Sequence, residues 1–119
     1  MPPKRILVVD DEVTVLESVR MTLEHYGYSV ETAPSGAEAL AKLVVGDFAL
    51  VVTDLRMPNM AGDELAIQIK SRWPRLPILL LTGFPPEQKP AAVDAILLKP
   101  FSTAELRSTV AMLLAKFGN

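Results

Sequence analysis

Four short, unbroken apolar runs do most to constrain the fold of this chain: Ile6–Val9, Ala49–Val52, Ile78–Leu81 and Ala95–Leu98. Runs of that length, rich in Val, Ile and Leu, read as strands buried on both faces, hence a parallel sheet covered by helices. A fifth segment, Ser29–Thr32, alternates polar and apolar residues as a strand at a sheet edge does. Helical patterns lie between the strands. Leu106, Val110, Leu113, Leu114 and Phe117 share one face, behind a capping box of Ser102 and Glu105 and a staple of Phe101 and Leu106. Ser35 and Glu38 repeat the box ahead of Leu40, Leu43 and Val44, and a helix after Gly62 carries Leu65 and Ile69 and stops at Trp73-Pro74. Gly27, Gly46 and Gly118 stand just past three of the helices, where a left-handed cap is expected. Strand followed by helix, repeated along the chain, predicts a doubly wound α/β fold. The fourth repeat is the exception. Pro85, Pro86 and Pro90 remove donors and clash inside a helix, so the fourth helix is expected to be short or replaced by a loop.

Composition narrows the function classes. A length of 119 residues suits one domain, 1–119, with no linker, repeat or low-complexity stretch to divide it. The 12 Lys+Arg against 14 Asp+Glu leave a net charge of −2, which supplies no bulk attraction for nucleic acid or an anionic membrane. The absence of cysteine removes disulfides, thiol catalysis and thiolate metal sites, and the single histidine, His25, cannot build a multi-histidine centre. The longest apolar runs, Phe48–Val52 and Val110–Ala115, fall far short of the roughly 18 residues that cross a bilayer. With no apolar signal region behind Met1-Pro2-Pro3-Lys4-Arg5, a cytoplasmic domain is expected.

Each apolar run ends in a residue with chemistry to offer. The first ends in Asp10-Asp11, the second runs through Thr53 to Asp54, the third ends in Thr82 and the fourth in Lys99-Pro100. In a parallel sheet all these carboxyl ends lie on one edge, where ligands bind in such folds. Three carboxylates, a hydroxyl and an ammonium thus converge from separate stretches of sequence. Clustered carboxylates repel unless protonated or joined by a cation. The ligand set is all oxygen, which suits a hard divalent ion, and Mg2+ is favoured because it takes one or two carboxylates and keeps waters for a phosphoryl oxygen. A carboxylate beside Mg2+ and a lysine has the makings of a nucleophile toward phosphorus. The blander readings are local. Asp10 and Asp11 could merely cap a helix, Asp54 could start the turn at Met57-Pro58-Asn59, and Thr82 is also a good strand former. Lys99 resists such a reading, because a lysine ending an apolar strand is costly to bury without a partner.

Ile6-Leu7-Val8-Val9-Asp10-Asp11-Glu12, Thr53-Asp54-Leu55-Arg56-Met57-Pro58-Asn59-Met60, Leu81-Thr82-Gly83 and Leu98-Lys99-Pro100-Phe101, in that order, resemble the response-regulator receiver domain of two-component signalling. The match covers essentially the whole chain. The resemblance implies a five-stranded parallel sheet in the order 2-1-3-4-5 with helices on both faces. It implies that Asp54 is the phosphoacceptor, that Asp11, Asp54 and the backbone carbonyl of Arg56 bind Mg2+ directly, and that Asp10 binds it through water. Thr82 would be the switch hydroxyl, and Lys99 would pair with the phosphoryl group beside a cis Lys99-Pro100 bond. Arg56 and Phe84, each two residues past a site residue, would flank the phosphate and set its lifetime. The implied activity is not that of an enzyme but of a phosphoacceptor that assists its own phosphorylation and dephosphorylation. The implied partners are a histidine kinase or histidine phosphotransfer protein and an output domain or effector, with room for a homodimer and no contact with nucleic acid or membrane. His25, late in the first helix, is placed to be no donor to Asp54.

Two departures from the family pattern concern the output. Ile96 stands where receivers usually carry an aromatic switch residue, and the stretch from Thr82 to Lys99 is short and proline-broken. The expectation is therefore that Thr82 to Asp94 is mobile and orders on phosphorylation, another recognised way to build a switch. Two competing readings are weaker. A Mg2+-dependent aspartyl phosphatase usually carries Asp-x-Asp after its first strand and a substrate-covering cap, and this chain has Asp10-Asp11 and no residues to spare. An interaction module with a dead site sits badly with five intact site residues.

Overall fold

The computed structural model describes residues 3–117. In chain order the elements are β1 (Arg5–Val9), α1 (Val13–His25), β2 (Ser29–Ala33), α2 (Gly36–Val45), β3 (Leu50–Asp54), α3 (Gly62–Arg72), β4 (Ile78–Thr82), β5 (Ala95–Leu98) and α4 (Thr103–Phe117). All strand pairs are parallel, and the order across the sheet is β2-β1-β3-β4-β5, as anticipated. Among the described residues no helix is long and apolar enough to cross a membrane.

The strand period of two distributes the apolar runs to both faces. Ile6 and Val8, Leu50 and Val52, Leu79 and Leu81 pack with Leu16, Val19 and Leu23 of α1 and Leu106, Val110 and Leu113 of α4. Their neighbours Leu7 and Val9, Val51, Ile78 and Leu80 pack on the other side with Leu43 of α2 and Leu65, Ala66 and Ile69 of α3. Each such side chain, fully buried, contributes about 1.5–3 kcal/mol. Two cores back to back explain why the runs are solid rather than alternating.

Local signals set the ends of the helices. Ser102 and Glu105 form the reciprocal box, with each backbone N–H donating to the other's side chain at 3.0 Å. At α2 only half the box forms, Glu38 N–H donating to Ser35 Oγ at 3.2 Å. Gly27 closes α1 in the left-handed region at φ 94°, with its N–H bonded to Glu24 O and that of Tyr28 to Leu23 O. Gly46 does not follow: it caps α2 in extended conformation, φ −115°. A side chain there would collide with Phe48, its Cβ falling 2.7 Å from that ring, so close packing and not handedness selects glycine. Gly118 lies outside the described residues.

Between β4 and β5 there is no helix, in line with the three prolines. The segment is not free along its whole length, however. Val93 is fully buried, and Asp94 is tied down three ways. Its carboxylate accepts from Lys70 Nζ of α3 and from the Ile78 N–H, both at 2.8 Å, while its own N–H donates to Ile78 O at 2.9 Å. Lys89 Nζ also donates to Val93 O, the Val93 N–H donates to Pro90 O, and Ala92 packs against the core, so the expectation of a mobile stretch from Thr82 to Asp94 is left with residues 83–88. Ala95–Leu98 also departs from a doubly buried strand. As β5 it is the sheet's second edge, with Ala95 and Ile96 half-buried and Leu98 50% exposed.

Candidate functional site

The carboxyl ends of β1, β3, β4 and β5 bring an acidic cluster together at one edge of the sheet. Asp10 follows β1, Asp54 ends β3, Thr82 ends β4 and Lys99 follows β5. Carboxylate oxygens of Asp10, Asp11 and Asp54 lie within 4.8 Å of one another. Lys99 Nζ donates to Asp54 Oδ1 at 2.7 Å, and the Arg56 N–H donates to Asp54 Oδ2 at 3.2 Å. Asp54 is buried and Asp11 exposed. The carboxylate that sequence places at the centre is therefore held from both oxygens.

Asp10 is the group under tension. Its Oδ1 accepts from the Glu12 N–H at 2.9 Å, but its Oδ2 is buried with no partner. Asp10 and Asp11 are not the capping residue of α1: that position is Glu12, whose side chain makes no cap bond, and Asp10 reaches only the Glu12 N–H. Burial pushes the Asp10 carboxyl up from 3.8 to about 6, and the nearby charges of Asp54 and Asp11 add to the rise. The Glu12 N–H and the Lys99 ammonium pull the other way. An orphaned buried oxygen among three carboxylates, with only oxygen donors at hand, fits a hard divalent cation.

The remaining positions sort clearly. Thr82 is buried, and its hydroxyl is engaged with its own loop: Oγ1 donates to Phe84 O and accepts from Phe84 N–H, each at 3.1 Å. The Arg56 guanidinium stacks over the Phe84 ring at 5.2 Å, so the two residues meet across the loops that flank Asp54. The Lys99–Pro100 peptide is cis. Ile96 packs against the α2/α3 side of the sheet. His25 is exposed at the far end of α1, roughly 18 Å along the axis from the helix start beside the site. Trp73 is a packing residue, and Met57 and Met60 fill space against the same side of the sheet.

One residue that sequence reasoning passed over is Gly62, the first residue of α3. A Cβ there would fall 2.2 Å from the backbone oxygen of Asp54 and 2.9 Å from Leu80 Cδ1. The helix start is pressed against the peptide that carries the central carboxylate, and the Gly62 N–H bonds Leu55 O at 2.8 Å. The available signal was a glycine opening a helix eight positions after Asp54. Asn59, at φ 70°, makes the left-handed turn between them, which asparagine tolerates.

Comparison with known proteins agrees with this geometry. The family model for the response regulator receiver domain matches residues 6–111. The chain belongs to that family. This receiver domain is 41% identical to response regulator MprA of Mycobacterium sp. strain KMS, over 96% of this chain and 52% of that protein. The chain thus spans about half the length of the curated relatives it matches. Among solved structures, response regulator TrrA from Thermotoga maritima, in complex with Mg2+ and BeF, is 37% identical with a TM-score of 0.86, covering 92% of this chain and 98% of that one. A structure of histidine kinase ThkA in complex with TrrA matches at 38% identity and a TM-score of 0.85, covering 93% and 98%.

Proposed function

We propose that this receiver domain, a single domain over 1–119, is the phosphoacceptor switch of a two-component phosphorelay and that Asp54 carries the phosphoryl group. The observation that carries the reading is the Asp54 carboxylate, bonded to Lys99 and the Arg56 N–H and set within 4.8 Å of Asp10 and Asp11. A carboxylate oxygen of Asp54 attacks the phosphorus of a phosphohistidine on a histidine kinase or phosphotransfer protein. The N–P bond breaks, its electron pair returns to the imidazole, and an acyl phosphate forms on Asp54. The donor must come from elsewhere, since His25 stands at the wrong end of α1. TrrA, seen with its kinase ThkA, supports a kinase partner for this chain too.

Asp11, Asp54 and the Arg56 carbonyl would hold Mg2+ directly, and Asp10 through water. The ion, when bound, offsets charge on the transferring oxygens. Lys99 follows the phosphoryl group as a donor, and Thr82 turns its hydroxyl to it. The MgBeF complex of TrrA supports the same cation here. The chain works as a signalling component that aids its own phosphorylation and dephosphorylation, regulating a partner or output domain from the cytoplasm. The test is transfer from a phosphorylated histidine kinase. We expect the label on this chain to be released by hydroxylamine, as an acyl phosphate is. A label that resists hydroxylamine would contradict the reading.

Arg56 and Phe84 set the lifetime of the phosphate by screening it from water. An exposed cation–π stack is worth about 0.5–1 kcal/mol, and 1.36 kcal/mol is tenfold in rate. Arg56→Ala and Phe84→Ala are each expected to hasten dephosphorylation by roughly two- to fivefold. Rates equal to the parent's, followed by loss of the phosphoryl adduct, would remove both from this role.

A further inference from the structure

Phe84 is held by two contacts of different kinds, and both end at the site. Its backbone is latched to Thr82 by the reciprocal pair of 3.1 Å hydrogen bonds. Its ring, on a residue 71% exposed, lies under the Arg56 guanidinium at 5.2 Å. We propose that Phe84 is a positioning residue and the moving aromatic of this receiver, latched open by Thr82 and drawn shut over Asp54 by Arg56 when the phosphoryl group arrives. This inference rests on Asp54 as the phosphoacceptor.

The latch follows from proton count. A threonine hydroxyl has one proton to donate. In the structure it goes to Phe84 O. A phosphoryl oxygen on Asp54 is a charged acceptor, and hydrogen bonds to charged groups are about twice as strong as neutral ones. The proton therefore leaves Phe84 O, whose exposed surroundings let water replace it. The closing follows from the shape of guanidinium. Its flat face stacks on an aromatic ring while its edge carries the N–H donors that fit phosphate. Arg56 can thus turn its edge to the phosphoryl group and keep Phe84 on its face, so the ring travels with it.

The far end of the segment is fixed. Val93 is fully buried, and Asp94 is bonded to Lys70 and Ile78. Lys89 Nζ donates to Val93 O at 2.6 Å and the Val93 N–H donates to Pro90 O at 3.0 Å, so the inferred motion belongs to residues 83–88, which carry no helix. Ile96, packed against the sheet, has no ring to rotate. The aromatic function absent from β5 is supplied by a residue on the preceding loop.

The absence of cysteine makes a direct test simple, since one introduced cysteine takes one label. A nitroxide on Glu87→Cys reports the mobility of the loop, read before and after Mg2+ and beryllofluoride, a stable phosphoryl mimic. Fluorine resonances of the bound mimic establish occupancy in the same sample. We expect the mobile component to fall severalfold on occupancy. In Phe84→Leu it should stay high in both states although the mimic binds, and Phe84→Tyr should restore the fall. Occupancy with an unchanged or more mobile label in the Phe84 chain overturns the proposal, as does a full response in Phe84→Leu. No binding of the mimic would overturn the phosphoacceptor reading itself, and this inference with it.

Discussion

Gly62→Ala is expected to be the most damaging single methyl group that can be added to this protein. The new Cβ would lie 2.2 Å from the Asp54 backbone oxygen, and backbone cannot swing aside as a side chain does. Overpacking of this kind costs about 1–3 kcal/mol and sometimes more, so a loss of about 3 kcal/mol is expected, on the order of 10 °C in Tm for a domain of this size. Part of the shift falls on Asp54, so phosphoryl acceptance should slow even at temperatures where the variant is folded. Two controls set the scale. At Gly36 the nearest atom is Met60 Sδ at 2.7 Å, the end of a flexible side chain, so Gly36→Ala should cost little. At Gly27 there is open space but a φ of 94°, so Gly27→Ala should cost about 1 kcal/mol from strain alone. Thermal unfolding of the three variants checks the order; Gly62→Ala as mild as Gly36→Ala would contradict the packing argument.

Asp10→Asn should act in opposite directions on the empty and the metal-bound protein. Burial raises the Asp10 carboxyl from 3.8 to about 6. Folding therefore favours its protonated form, and ionisation near pH 7.5 works against the fold. Two units at 1.36 kcal/mol each bound the penalty near 3 kcal/mol. Asparagine keeps an acceptor for the Glu12 N–H without the charge. In a chelator at pH 7.5 the variant should gain about 2 kcal/mol, on the order of 5–10 °C. For the parent without metal, the folded state holds the Asp10 proton up to about pH 6 and the unfolded state only to 3.8. The contribution of this group therefore grows as pH falls from 7 toward 4 and is lost as pH rises through 6. The variant should lack that dependence. In Mg2+ the advantage should reverse, because losing a group that orients the ion's waters weakens binding about 10–100-fold. Unfolding curves in chelator and in Mg2+ decide it. A variant less stable than the parent in chelator would mean that Asp10 is not a strained group.

The fold was legible because its signals were redundant. Solid runs such as Val51-Val52 and Leu79-Leu80 read as strands packed on both sides, and their ends put Asp10, Asp54, Thr82 and Lys99 on one edge. Proline placement foretold the missing helix. What was hidden depends on pairings distant in sequence. The edge position of Ala95–Leu98 came from the family resemblance and not from its own residues, which do not show that Leu98 is left exposed. Asp94 reads as an ordinary loop residue until Lys70, 24 positions earlier, is found against it. Gly46 looks like a left-handed cap and turns out to be a close contact, and nothing in the sequence around Gly62 shows how tightly it packs on Asp54. Thr82 was legible as a site residue, but not that its hydroxyl is occupied by Phe84.

The central claim is that Asp54 accepts a phosphoryl group with Mg2+ at the surrounding carboxylates. Intact mass after incubation with acetyl phosphate, with and without Mg2+, on the parent and on Asp54→Asn, tests it most directly. The account predicts one phosphoryl adduct on the parent, dependent on Mg2+ and absent from Asp54→Asn. An undiminished adduct on the folded Asp54→Asn variant, or none on a folded parent that leaves the donor unconsumed, would contradict it.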